Sequence, residues 1–395
     1  MNPLEELLHA PIEEQERRGY TCTAREIAQQ PATWRRTWRQ LRAQLPALQS
    51  FLAGAGIQGQ PAQRPEVFLV GAGTSDYIGR CLYQLLRQAW KCEVTAVPST
   101  DLLIDFGDMV LPERAALWIA FSRSGDSPEG VAVLERALAE QPHIHHLVIS
   151  CNASGKMMQR IANRPHCAGV LLAEETNDRG LAMTSSFTNM VIAGQALAHA
   201  WSPEAYDPIA AALCDAAEEF LPLAAQAAKV LAEQAYPQVC FVGAGAAAGA
   251  ATEAALKLLE LTAGQVKTMA QTPLGLRHGP MAALSPHTLL VSFLSTHERR
   301  QRYEIDLLRE IERKHLAGHC IAIVGAGATA QPKLDAAEML APAKTYAIPD
   351  LYRPPVDILF AQLLGLFSSL RCGLKPDAPS PTGAISRVVQ PIEVH

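Results

Sequence analysis

Beyond residue 66 the chain alternates two hydrophobic rhythms. Short, mostly apolar runs near 67–70, 94–97, 117–121 and 147–150 are separated by longer segments in which apolar positions return every three or four residues. A continuous apolar run suits a strand covered on both faces, and the wider spacing suits a helix with one buried stripe. The alternation resumes with runs near 238–242, 289–293, 320–324 and 345–348. Strand and helix in turn predict βαβ units on a parallel sheet. Each half is therefore expected to be α/β, a five-stranded doubly wound sheet flanked by helices.

The second half repeats the first at a fixed offset. Phe68-Leu69-Val70-Gly71-Ala72-Gly73 returns as Phe241-Val242-Gly243-Ala244-Gly245, with Val70 and Val242 172 positions apart (242 − 70). Phe121 and Phe293 end the next repeated run at the same offset (293 − 121), and Leu147-Val148-Ile149 matches Ile321-Ala322-Ile323 at nearly that distance. A period this long predicts duplicated domains rather than a solenoid. The expected division is a helical arm over 1–50, a first domain over 51–220 and a second over 221–395. In the arm, Thr23-Ala24-Arg25-Glu26 reads as a capping box, Pro31 ends or restarts a helix, and Trp34 and Trp38 share a face. The Gly/Gln/Pro-rich stretch 54–65 reads as a linker.

Composition narrows the function classes. A chain of 395 residues with 49% hydrophobic and 18% charged residues belongs with folded globular proteins. A formal charge of −5 and no dense Lys/Arg stripe argue against a nucleic-acid partner. Nine cysteines with no C-x-x-C pair fit reduced thiols better than a disulfide framework or zinc site. No leader pattern and no bilayer-length apolar stretch stand out, so no membrane is involved and a cytoplasmic location is expected.

Two features carry chemistry. The glycine turns at Gly71, Gly243 and Gly325 each lack the third glycine of a dinucleotide fingerprint, its place being taken by Asp76, Ala248 and Ala330. Tight strand-to-helix turning is the reading for the later two, and no cofactor is implied. The first is followed by Thr74 and Ser75, which place hydroxyls at a helix mouth. The second feature is Ser122-Arg123-Ser124-Gly125-Asp126-Ser127-Pro128-Glu129, at the carboxyl end of a buried strand. Ser127 suits an N-cap, Pro128 the first helical position, and Val131, Leu134 and Leu138 a buried face. Three hydroxyls and free amides at a helix N-terminus favour a phosphoryl group. The corresponding second-half segment, Leu294-Ser295-Thr296-His297, offers no such cradle.

The serine loop resembles that of the sugar-isomerase (SIS) family, in which a serine-rich turn holds the phosphate of a phosphosugar. The resemblance extends over most of the chain. Glu26-Ile27-Ala28-Gln29-Gln30-Pro31 is similar to the lead-in of double-SIS enzymes. Gly73, Thr74 and Ser75 are similar to their sugar-contacting turn, and Ala182-Met183-Thr184-Ser185-Ser186-Phe187-Thr188 to their A-S-T-K-x-F-T segment, with Ser186 in place of the lysine. The loop, the stretch 175–180 and the tail around Arg387 resemble most the galactosamine-6-phosphate deaminase/isomerase group, also known as tagatose-6-phosphate ketose/aldose isomerases.

Glu253, Lys257 and Glu260 fall within a wedge of about 60° on a helix otherwise dominated by Ala and Leu. Lys257 can pair with either carboxylate. From spacing alone, a surface stripe and a pocket lining stay equally open. The resemblance implies the second: this helix is similar to the one carrying the catalytic Lys and Glu of glucosamine-6-phosphate synthase isomerase domains. Leu276-Arg277-His278-Gly279-Pro280 is similar to their L-K-H-G-P turn. It implies a homodimer in which His278 opens the sugar ring in the neighbouring subunit, Glu260 moves a proton between C2 and C1, and Lys257 orients it. Ser122, Arg123, Ser124 and Ser127 would bind the phosphate, and Gly73, Thr74, Ser75, Thr184, Ser185 and Arg387 the rest of the substrate. Arg387 replaces the synthase's tail lysine, so a Schiff base at that position is excluded.

The expected reaction follows: galactosamine 6-phosphate to tagatose 6-phosphate and ammonia, with no metal and no cofactor. The synthase's glutamine-hydrolysing domain has no counterpart in the 66 residues before the first strand, so ammonia is expected to leave rather than arrive. The histidines of His143-Ile144-His145-His146 are expected in a solvated loop. Rival readings are a glucosamine-6-phosphate or fructosamine-type deaminase or deglycase, and a non-catalytic phosphosugar sensor.

Overall fold

The computed structural model describes residues 1–325, 337–342, 348–390 and 392–393. They form two compact units, one built on each sheet. The strands are β1 (Glu66–Gly71), β2 (Val94–Pro98), β3 (Ala116–Ser122), β4 (His145–Ser150) and β5 (Cys167–Leu171), then β6 (Gln238–Gly243), β7 (Lys267–Gln271), β8 (Ser285–Leu294), β9 (Ala317–Val324) and β10 (Glu338–Leu340). The first sheet runs β2-β1-β3-β4-β5, the second β7-β6-β8-β9-β10, and every pairing is parallel. The expected α/β architecture is what the chain adopts.

The repeat reaches down to individual pairings. Val70 lies opposite Ala120 and Val242 opposite Ser292, so both partners shift by 172 (242 − 70, 292 − 120). The turns that follow are also duplicated: Gly73 has φ 56 and ψ −125, and Gly245 has φ 62 and ψ −129. Such backbone is open to glycine alone at little cost. The preceding glycines answer a different need. A Cβ on Gly71 would lie 2.3 Å from the carbonyl carbon of Ser75, and one on Gly243 2.2 Å from the oxygen of Ala247. Each strand can meet its helix only because no side chain intervenes.

The first-sheet unit comprises Ala32–Asp178, Ser185–Ala210 and Ser386–His395. All seven residues of β3 are buried, as expected of a central parallel strand with both faces covered. On one face Phe68, Val70, Trp118, Val148 and Leu134 form a core. The helices Thr74–Trp90 and Ser185–Ala198 approach so closely that a Cβ on Gly194 would sit 2.1 Å from a Leu82 methyl. Trp34 and Thr37 reach Thr188 Oγ1 at 2.9 Å and Asn189 Oδ1 at 2.7 Å.

The second-sheet unit comprises Met1–Pro31, Arg179–Thr184 and Ala211–Ile385. The helix Ala246–Leu261 is buried on nearly every side and packs on Pro354–Arg371, where Gly365 makes room for Leu261.

Three expectations are corrected. Thr23 lies inside the helix Thr21–Ala28 rather than capping it; its hydroxyl donates to Asp377 Oδ1 at 2.7 Å, while Glu26 accepts the amides of Arg179 and Gly180. The side chains that mimic a capping box are spent on distant chain. His145 and His146 belong to β4, not to a loop, and His146 is buried against Trp118, which drives its pKa down to about 4. The strands β5, β7 and β10 had no counterpart among the expected runs, and the run near 345–348 falls, but for Ile348, outside the described residues.

Candidate active site

The serine loop leaves β3 at Ser122 and enters the helix Pro128–Glu140. Inside the turn two of the three hydroxyls accept loop amides: Ser122 Oγ from Gly125 N at 3.0 Å and Ser124 Oγ from Asp126 N at 3.2 Å. Those bonds use oxygen lone pairs and leave the hydroxyl hydrogens to donate. Ser127 occupies the N-cap position, yet its side chain makes no capping bond. The loop thus carries three hydroxyls at the start of a helix, donor groups chemically suited to an oxyanion.

The loop is braced from behind by the turn after β4. Asn152 Nδ2 donates to Ser124 O at 2.8 Å, Lys156 N to Asp126 Oδ1 at 2.9 Å, and Met157 N to Gly125 O at 2.9 Å. Gly125 has φ 69, and a Cβ on Gly155 would stand 2.5 Å from Ser124 O, so two glycines let the turns stack. Sequence reading missed this brace, although the polar run Asn152-Ala153-Ser154-Gly155 at a strand end is a legible turn signal.

Arg123 is buried and donates through Nη2 to the carbonyl of Arg387. Arg387 in turn donates to Asp178 O and Asn177 Oδ1, each at 2.7 Å. The tail arginine and the loop arginine are therefore joined within one unit. Asp178 caps the helix Ser185–Ala198, accepting from the amides of Ser185 and Ser186 at 3.1 and 2.8 Å and from both hydroxyls. Ser185 is wholly buried, its hydroxyl given to that carboxylate. Cys151 is close by, its thiol pushed up to about 12 by burial, and is no nucleophile. Thr74 and Ser75 open the helix after Gly73, whose missing Cβ would face open space.

The second-sheet unit holds Glu253, Lys257 and Glu260 on the helix Ala246–Leu261. Lys257 is 0% exposed, with Nζ 2.6 Å from Glu260 Oε2 and 3.4 Å from Glu253 Oε1. The spacing left a surface stripe open; Glu253 and Lys257 are in fact fully buried and the Glu260 side chain is 23% exposed. Burial alone would favour a neutral lysine. The two carboxylates outweigh it and hold the ammonium above the ordinary lysine range. The arrangement keeps one partly accessible carboxylate fixed by a permanent cation. Thr184 is buried in this unit, its carbonyl accepting from Gln362 Nε2 at 3.3 Å. His278 lies in the turn after the helix Pro273–Leu276, exposed, its ring without a hydrogen-bond partner among the described residues.

No protein-family model matches the chain. Curated relatives do. The chain is 35% identical over 383 residues to D-galactosamine-6-phosphate deaminase AgaS of Escherichia coli O157:H7, covering 95% of this chain and 96% of that one. It is 32% identical to the protein of the same name from Shewanella sp. strain ANA-3, covering 95% and 92%. Among solved structures, tagatose-6-phosphate ketose/aldose isomerase from Escherichia coli superposes with a TM-score of 0.84 at 32% identity, over 93% of this chain and 96% of that one.

Proposed function

The chain belongs to the D-galactosamine-6-phosphate deaminase family, and on that premise we propose that it converts galactosamine 6-phosphate and water to tagatose 6-phosphate and ammonia. The observation that carries the reading is the Glu260 carboxylate held 2.6 Å from a buried ammonium. Such a group can take a proton and return it without drifting from its place.

The proposed course begins with the phosphate on Ser122, Arg123, Ser124 and Ser127, and the sugar against Gly73, Thr74, Ser75 and Arg387; Thr184 and Ser185, both wholly buried, would shape the site rather than touch the sugar. His278, exposed in its turn, opens the ring, serving the neighbouring subunit of a homodimer; an imidazole can accept and donate a proton, as moving one from O1 to the ring oxygen requires. Glu260 removes the C2 hydrogen of the open-chain amino aldehyde and gives a proton to C1, while O1 gains a proton and the amine nitrogen gives one up as the C2–N double bond forms. The product is a 2-imino ketose, which water hydrolyses to the ketose and ammonia. Lys257 steadies Glu260 and offsets negative charge developing on O1. The domains are assigned as 51–220 and 221–395 after an arm of 1–50, and the enzyme as cytoplasmic. Among the described residues no helix is long and apolar enough to cross a membrane.

Ammonia release from purified protein tests the substrate class. We expect release from galactosamine 6-phosphate, at least tenfold slower release from glucosamine 6-phosphate, and none from unphosphorylated galactosamine. Equal rates for the last compound would remove the serine loop from the reaction. Ligand binding without any ammonia would favour the sensor reading.

A further inference from the structure

We propose that the turn after β8 is a second oxyanion site, filled in this chain by its own Asp350 carboxylate. The claim is independent of the reaction above, and every group involved lies in the second-sheet unit. The turn is the duplicated counterpart of the serine loop, Thr296 standing 172 positions after Ser124 (296 − 124). It is two residues shorter, because the helix that follows starts at Glu298, only 170 positions after Pro128 (298 − 128). Ser295 Oγ accepts from His297 N at 3.0 Å, an i to i+2 bond of the kind Ser124 Oγ makes with Asp126 N at 3.2 Å, although at the repeat offset Ser295 matches Arg123 and Thr296 matches Ser124. The helix Glu298–Arg313 that follows likewise has no side-chain cap.

The difference is an occupant. Asp350 accepts from the Ser295 hydroxyl, from Thr296 N at 2.9 Å and from Thr296 Oγ1 at 2.7 Å, with Arg353 Nη1 at 3.3 Å and Arg300 Nη1 at 3.5 Å. Two hydroxyls, an amide and two guanidinium groups converge on one carboxylate, and the same donor set suits a tetrahedral oxyanion. Two other carboxylates border the turn. Glu304 Oε2 accepts Ser295 N at 2.7 Å, and Asp357 is taken up by Arg353 Nη2 at 3.0 Å. Burial pushes Glu304 up to about 7 and Asp357 up to about 6, whereas Asp350, although buried, is held below the ordinary carboxylate range by Arg353 and its hydrogen bonds. The occupant also has a structural use: Arg353 donates to Leu294 O at 2.5 Å, fastening the end of β8 to the start of the helix Pro354–Arg371. The turn in the duplicated position has donors of its own, with only Thr296 matching a hydroxyl of the serine loop, and takes its ligand from the chain.

Removing the carboxylate should therefore open the site. In Asp350→Ala protein at pH 6.5, equilibrium dialysis with inorganic phosphate is expected to count one bound equivalent more than in the unsubstituted protein, with millimolar affinity or tighter. Phosphate should also raise the variant's melting temperature by more than it raises that of the unsubstituted protein, while chloride at matched ionic strength should not. Adding Thr296→Val should abolish the extra equivalent. If Asp350→Ala is recovered unfolded, phosphate during refolding should restore soluble protein where chloride does not. No extra equivalent in folded variant, or no phosphate-specific rescue of unfolded variant, overturns the proposal.

Discussion

Glu260→Gln is expected to lower kcat for ammonia release at least 10³-fold while leaving KM within about threefold, the pattern of a group lost from proton transfer rather than from binding. Glutamine matches glutamate in shape and can still accept from Lys257 Nζ, now 2.6 Å from Glu260 Oε2. What it cannot do is take a proton from carbon. Lys257 keeps a counter-charge in Glu253, so the substitution should cost little stability and the kinetic loss can be read directly. Steady-state ammonia measurement, with the variant's unfolding curve alongside, checks this. A loss below tenfold would remove Glu260 as the base.

The largest expected stability effect is that of Lys257→Met. Its ammonium sits between a wholly buried carboxylate and a partly buried one. Removing one member of a buried ion group leaves the other uncompensated, at a cost of about 3–5 kcal/mol. The pH dependence identifies the cause. Without Lys257, the buried Glu253 should have a folded-state pKa above its unfolded value, so the folded state binds more protons and stability falls as pH rises through that interval. The deficit should accordingly be smallest at acid pH and grow toward neutrality. The double variant Lys257→Met/Glu253→Gln should recover much of the stability and none of the turnover. Urea unfolding at pH 5 and pH 8 separates this from a simple packing loss, which would not vary with pH.

The duplication was legible because it is written in residues that packing leaves little freedom to change. Gly71 and Gly243 must lack a Cβ, Gly73 and Gly245 must adopt positive φ, and the central strands must be apolar throughout. Three of the four edge strands, β5, β7 and β10, escaped because one side lies near solvent: β7 reads Lys-Thr-Met-Ala-Gln, with no residue fully buried. The serine loop could be read locally, since its hydroxyls and helix start are contiguous. Long-range partners could not. Thr23 resembles a cap until Asp377 claims it from 354 positions away, and the turn at Ser295 reads as one without an anion until Asp350 supplies one from 55 positions away. The acid/base helix lay between these cases: spacing put three charges on one face, but only the fold shows that two of them are buried.

The claim at the centre of this account is that a carboxylate moves hydrogen between two adjacent carbons of a phosphate-anchored amino sugar. Galactosamine 6-phosphate deuterated at C2 tests it most directly. The account requires the ketose as product, its deuterium found at C1 or lost to water, with a primary isotope effect on turnover. Ammonia accompanied by an aldose 6-phosphate, galactose or its C2 epimer talose, still deuterated at C2 would contradict it, because displacement at C2 would then proceed without breaking that bond.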